Sequence, residues 1–209
     1  MTEETNNKCY SVYLLRHGKT LGEPSLNGVT DVAVADSVQQ SIANALMKES
    51  LGYSTIISSP LRRCRELAEA LTLNTPGLAY SIDEGFMEMD FGDFDGQSFD
   101  SLRPHWSLLD SFWQDPSTNT LPNAESLEAC YQRVTKAWSR TVNDLNNDTI
   151  IVCHGGTIRL ILAYILKLDY TNAAWYSALN IANQSLTHIT IFEDYKESPH
   201  IQTIGKPLV

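Results

Sequence analysis

Hydrophobic and polar positions along this chain keep two rhythms. Unbroken apolar runs stand at Ser11-Val-Tyr-Leu-Leu15, Ser54-Thr-Ile-Ile-Ser58 and Thr149-Ile-Ile-Val-Cys153. Runs of this length, bounded by turn residues, predict buried strands. Leu78 to Ile82 predicts a further short strand, and Leu186 to Phe192 alternates with the period of two that a strand requires. Between them apolar residues recur at three- and four-residue spacing. Val38, Ile42, Ala45 and Leu46 predict a helix from Ala35 to Met47. Leu61, Cys64, Ala68 and Leu71 form the inward stripe of a second helix, opened by Ser59 as cap and Pro60 in its first turn. Leu127, Tyr131, Val134 and Trp138 mark a long helix, with Glu125 and Glu128 at its positive end. Another helix follows His154 as far as Leu166, and Thr171 to Leu179 reads as helical.

From Phe86 to Pro122 no period holds. Glycines, prolines, aspartates and aromatics mix there, which predicts an insert over the sheet edge, with a short helix near Trp106. Strands alternate with helices through most of the remainder. That pattern predicts an α/β fold: three layers, doubly wound, a mainly parallel sheet with helices on both faces. The expected organisation is one domain over residues 1–209, with the insert at about 86–122 lying over the active site.

Composition narrows the function classes. Of the 209 residues 43% are hydrophobic and 19% charged, the balance of a packed globule. The net charge of -10 speaks against nucleic acid and acidic membranes as partners. Any anionic substrate must then be held by a few local cations. Cys9, Cys64, Cys130 and Cys153 are far apart and form no C-x-x-C pair. They read as reduced thiols mostly in or near the core, and not as a zinc site or disulfide framework. The segment Met1 to Lys8 carries two glutamates and no apolar stretch, unlike a signal peptide. The longest apolar candidate, Ile158 to Leu168, is interrupted by Arg159 and Lys167 and is too short to cross a bilayer. The expectation is a soluble, cytoplasmic protein.

The candidate chemistry lies at strand ends, where ligands bind in sheets of this kind. Leu15 runs into Arg16-His17-Gly18, and Cys153 runs into His154-Gly155-Gly156. Glycine after each histidine lets the backbone turn sharply and lets a bulky anion approach. The second triplet also opens a helix, whose free N–H groups favour phosphate. Each piece has a plainer reading as well. A strand-terminal histidine often serves structure alone, Ser59-Pro-Leu-Arg-Arg63 reads equally as a helix start with exposed arginines, and Glu88 as an ordinary loop carboxylate. Their joint order on predicted strand ends is what weighs against those readings.

In that order the chain resembles the histidine phosphatase family, which includes the cofactor-dependent phosphoglycerate mutases. The matching pieces are Leu15-Arg-His-Gly-Lys-Thr20, Ser58-Ser-Pro-Leu-Arg-Arg-Cys64, Glu88-Met-Asp-Phe-Gly92, Glu125-Ser126 with Arg133, and Val152-Cys-His-Gly-Gly-Thr-Ile-Arg159. The resemblance implies that His17 is a nucleophile that takes up a phosphoryl group and passes it to water. It implies that Arg16, Arg63 and His154 surround that group, that Gly155 and Thr20 contribute to its binding, and that Glu88 is the proton donor. A neutral imidazole suits nucleophilic attack, and the equatorial oxygens need fixed cations, which Arg16, Arg63 and a protonated His154 would supply. A carboxyl in a partly apolar pocket would protonate the leaving oxygen. No metal or other cofactor is expected. Three departures stand out: Glu23 where the family usually has asparagine, Lys19 in place of glutamate, and Asn123-Ala124 where many members have two glycines.

The insert bears on the substrate. Between Phe86 and Glu125 lie many carboxylates against one arginine, Arg103, and no lysine. A second anionic group on the substrate would lack cations there. Phe91, Phe94, Phe99, Trp106, Phe112 and Trp113 offer stacking surface, or else serve the small core beneath the insert. The reading is a small phosphomonoester with a flat, neutral leaving group. Met87 to Gly96 and His154 to Arg159 look most like the alpha-ribazole phosphatases of cobalamin biosynthesis, which implies alpha-ribazole 5′-phosphate as substrate. A phosphoglycerate mutase, a broad-specificity phosphatase and a catalytically silent binding protein on the same fold are the alternatives. The oligomeric state is not legible.

Overall fold

A computed structural model describes residues 8–75 and 77–208. The N-terminal segment read above as no signal peptide lies outside them, apart from Lys8. Among the described residues six strands form one sheet: β1 (Cys9–Arg16), β2 (Thr55–Ser58), β3 (Ala79–Ile82), β4 (Thr149–Cys153), β5 (Ser185–Phe192) and β6 (His200–Pro207). Their order is β3-β2-β4-β1-β5-β6. The β3, β2, β4 and β1 strands run parallel, while β5 and β6 add on antiparallel.

The sheet is covered on both sides because the central residues of β1 and β4, Val12 to Leu15 and Ile150 to Cys153, are apolar and buried on both faces. Val12, Leu14, Ile151 and Cys153 point into one buried cluster with α4 (Leu127–Asn143) and α5 (Gly155–Ile165). Tyr13, Leu15, Ile150 and Val152 point into the other, with α1 (Asp36–Lys48) and α2 (Arg62–Asn74). Odd and even positions of one strand thus feed different layers, as the pleat dictates. The three-layer, mainly parallel α/β architecture expected from the sequence is the one observed. No described helix is long and apolar enough to cross a membrane.

Two details differ from expectation. Helix α2 begins at Arg62, with Leu61 as its cap residue. Ser59 instead accepts a hydrogen bond from Leu61 N at 3.3 Å, so it shapes the turn before the helix. Strand β6 escaped notice because it is an exposed edge strand, with apolar residues only at Ile201 and Ile204. The four cysteines are unpaired, Cys64, Cys130 and Cys153 buried and Cys9 exposed, in keeping with thiols mostly in or near the core.

The irregular segment after β3 contains α3 (Trp106–Gln114) and several 3₁₀ turns. It carries its own apolar supply. Phe86, Phe94, Leu102, Leu109 and Phe112 are buried in the same cluster as α4 and α5, which seats the insert on that face. At the crossing of insert and scaffold, Asn123 takes the left-handed conformation (φ 57°), which asparagine tolerates better than most residues. That accounts for asparagine where glycine is usual, and its side chain also donates to the Asp93 carboxylate at 3.0 and 3.1 Å.

Candidate active site

Strand register brings the two histidines together. Arg16 on β1 lies opposite Cys153 on β4, and Ser58 on β2 lies opposite Val152. The residues that follow each strand therefore emerge level at one sheet edge. His17 N donates to Cys153 O at 3.3 Å, and Ser59 N donates to Val152 O at 3.0 Å. The rings of His17 and His154 sit edge to face, with centroids 5.1 Å apart.

Hydrogen bonding fixes the protons on both rings. His17 Nδ1 is 2.7 Å from the carbonyl of Gly18. A carbonyl only accepts, so Nδ1 carries the hydrogen and Nε2 presents its lone pair. Nε2 has no protein partner among the described residues. For His154, Arg63 Nε donates to Nδ1 at 3.1 Å, so Nε2 carries the hydrogen and gives it to Ser59 Oγ at 2.9 Å. Burial pushes both imidazoles well below their ordinary pKa, and the neighbouring Arg63 and Arg16 guanidiniums push the same way. His154 is therefore neutral in the free site. This corrects the expectation of a protonated His154: the positive charge here comes from the two arginines.

Arg63 is buried to 1% exposure, contrary to the reading of a helix start with exposed arginines; its neighbour Arg62 is the exposed one. Its Nη1 donates to Thr30 O at 2.9 Å and its Nη2 to Gly28 O at 2.5 Å. One hydrogen on each Nη is left for a ligand. The loop supplying those carbonyls is held by Asp95, which accepts from Val29 N at 2.9 Å, Thr30 N at 2.8 Å and Phe91 N at 3.0 Å. Arg16 donates through Nη1 to Ile181 O, while its Nε is buried with no partner among the described residues. A buried donor without an acceptor costs free energy unless a ligand or water answers it.

Glu88 approaches from the insert side. Its backbone is clamped by Arg133, which donates to Gly85 O at 3.1 Å, Met87 O at 3.0 Å and Glu88 O at 3.3 Å. Arg133 is itself forked onto Glu125, Nε to Oε1 at 2.9 Å and Nη2 to Oε2 at 2.8 Å. The Glu88 carboxylate accepts from Gly156 N at 3.0 Å. Gly156 is obligatory for that approach, since a Cβ there would overlap Glu88 Oε1 and lie 3.1 Å from Cδ. Gly155 plays a similar part for Arg16, because a Cβ would fall 3.2 Å from the guanidinium carbon. Helix α5 starts at Gly155, so its leading amides have no acceptor within the helix and point positive charge at the same place.

Of the residues expected from the sequence, His17, Arg16, Arg63, His154, Glu88 and Gly155 converge. Thr20 is held by a bridge to Val34 and shares no hydrogen bond with the others. Lys19 and Glu23 are exposed, and the Glu23 carboxylate makes no hydrogen bond among the described residues. Beyond Glu88 and Gly156 opens a cavity of about 250 Å³, walled by Phe91, Phe112 and Trp113 of the insert and by Arg159 and Tyr176. Trp106 does not line it; its ring packs edge-on behind Trp113 at 5.5 Å. Arg159 gave no signal of this role in the sequence beyond its place after His154-Gly-Gly.

The profile of the Histidine phosphatase superfamily (branch 1) matches residues 12–203. The "Probable phosphoglycerate mutase GpmB" of Escherichia coli O1:K1 / APEC is 29% identical over 198 residues, spanning 90% of this chain and 86% of that protein. A mycobacterial glucosyl-3-phosphoglycerate phosphatase superposes with a TM-score of 0.80 at 22% identity, covering 95% of this chain and all of that one (100%). The alpha-ribazole phosphatase of Shigella flexneri superposes with a TM-score of 0.77 at 19% identity, covering 94% and 96%.

Proposed function

Because the chain belongs to the histidine phosphatase superfamily and is a phosphatase, we propose that it hydrolyses small phosphomonoesters through a phosphohistidine on His17. The observation that carries this reading is the His17 ring: Nδ1–H is tied to Gly18 O at 2.7 Å, which leaves Nε2 without a partner among the described residues, like the buried Nε of Arg16. In this mechanism Nε2 attacks phosphorus in line with the ester oxygen. Arg16, the spare hydrogens of Arg63 and the leading amides of α5 take up the charge on the equatorial oxygens. Neutral His154 orients Arg63 by accepting its Nε–H. Glu88 gives its proton to the leaving oxygen, then, ionised, draws a proton from the water that cleaves the P–N bond. His17 is restored and inorganic phosphate leaves.

For the substrate we propose alpha-ribazole 5′-phosphate, which would place the protein in cobalamin biosynthesis. Phe91, Phe112 and Trp113 line the cavity next to Glu88, a wall suited to a flat base. Arg159 favours a second reading. It comes from outside the cation-poor insert, lines the same cavity, and suits an alcohol bearing a carboxylate, as in a phosphoglycerate. Phosphate release from a panel containing p-nitrophenyl phosphate, alpha-ribazole 5′-phosphate and 3-phosphoglycerate tests both. Hydrolysis with the highest kcat/KM for the ribazole ester is expected. Preference for 3-phosphoglycerate would overturn the substrate, and no release from any ester would overturn the phosphatase mechanism.

A further inference from the structure

Resting on the phosphatase reading above, we infer that Arg159 is the specificity residue of the leaving-group pocket, donating to an oxygen acceptor on the alcohol about one helical turn from the ester oxygen. Gly156, whose N–H holds Glu88, and Arg159 stand three residues apart on α5, so both face the cavity about 4.5 Å apart along the axis. The stem of Arg159 is fixed: Nε donates to Leu179 O at 2.8 Å, and its own carbonyl accepts from Trp175 Nε1 at 2.9 Å.

The two Nη groups have no acceptor and no carboxylate partner among the described residues. Arg159 lines a cavity otherwise walled mainly by Phe91, Phe112, Trp113 and other apolar side chains. The Tyr176 hydroxyl on that wall already donates to Tyr170 O at 2.7 Å. A guanidinium in such a place is only partly solvated, and burial does lower its pKa, with Glu88 acting in the opposite sense. An oxygen on the alcohol restores the missing acceptor. A sugar hydroxyl and a carboxylate both qualify, and a bare aryl or alkyl alcohol does not.

The test is kcat/KM for ribose 5-phosphate and for 3-phosphoglycerate, each divided by that for phenyl phosphate, in the wild type, Arg159→Ala and Arg159→Gln. Arg159→Ala should lower at least one ratio roughly tenfold or more, mainly through KM. Arg159→Gln keeps the stem and a neutral donor, and it guards against misreading a folding defect. If the acceptor is a hydroxyl, glutamine restores part of the ribose 5-phosphate ratio; if a carboxylate, the 3-phosphoglycerate ratio stays as low as with alanine. Ratios unchanged in both variants would overturn the role of Arg159 while leaving the phosphatase reading intact. A wild type that hydrolyses none of the three esters would defeat the phosphatase reading, and this inference with it.

Discussion

Arg63 Nε lies 3.1 Å from His154 Nδ1 and can only donate to it. That contact makes His154 an acceptor toward the arginine and a donor toward Ser59, 2.9 Å from Nε2. A protonated His154 would set a hydrogen against the Arg63 N–H. The second histidine of the pair is thus read as the group that aims a guanidinium.

This protonation state has a consequence for stability. His17 and His154 are both held below the ordinary imidazole value, burial being the main cause. Unfolding restores imidazoles of about 6.5. Below that pH the unfolded chain binds more protons than the folded one, so the contribution is complete above about pH 6.5 and is lost as pH falls toward the folded-state values. The limiting loss is about 1.4 kcal/mol per pH unit for each histidine. Denaturant unfolding at pH 7.5, 6 and 5 should show a shallower fall for His154→Gln than for the wild type. Parallel curves would remove His154 from the account.

The Glu88 carboxylate reaches the site only because Gly156 lacks a side chain. Glu88→Gln should slow alkyl phosphates by a hundredfold or more, about the contribution of a general acid, and p-nitrophenyl phosphate far less. Gly156→Ala should reproduce that leaving-group pattern by pushing the carboxylate aside. Equal losses for both esters would shift the proton donor to another carboxylate, with Asp90 the nearest in sequence.

Asp95 ties the insert to the loop that holds Arg63, through Val29 N, Thr30 N and Phe91 N. Asp95→Ala strands these donors and should cost about 2–4 kcal/mol of stability. It should also raise KM or the inhibition constant for inorganic phosphate, since Gly28 O and Thr30 O no longer anchor the Arg63 guanidinium. A stability loss with unchanged phosphate affinity would confine Asp95 to the fold.

The strands and the histidines were legible because they rest on local signals: unbroken apolar runs, and His-Gly at two strand ends. What was not legible depends on distant partners. Burial of Arg63 follows from acceptors at Gly28, Thr30 and His154, 33 or more residues away. Asp95 looked like one more carboxylate of an acidic insert, and the donors on Val29 and Thr30 that single it out are 65 or 66 residues distant. Arg159 looked like an interruption in an apolar helix, and only the insert folding over α5 gives it a cavity to face. Strand β6 was missed for the opposite reason: an exposed edge needs little apolar patterning.

The account stands on His17 Nε2 as the atom that takes the phosphoryl group. Rapid quench of the wild type with a radiolabelled phosphomonoester, followed by peptide mapping, measures this directly. A base-stable, acid-labile label on His17 in the wild type, absent from a folded and inactive His17→Ala protein, is the predicted result. Undiminished turnover by His17→Ala, or a label mapped to another residue, would contradict it.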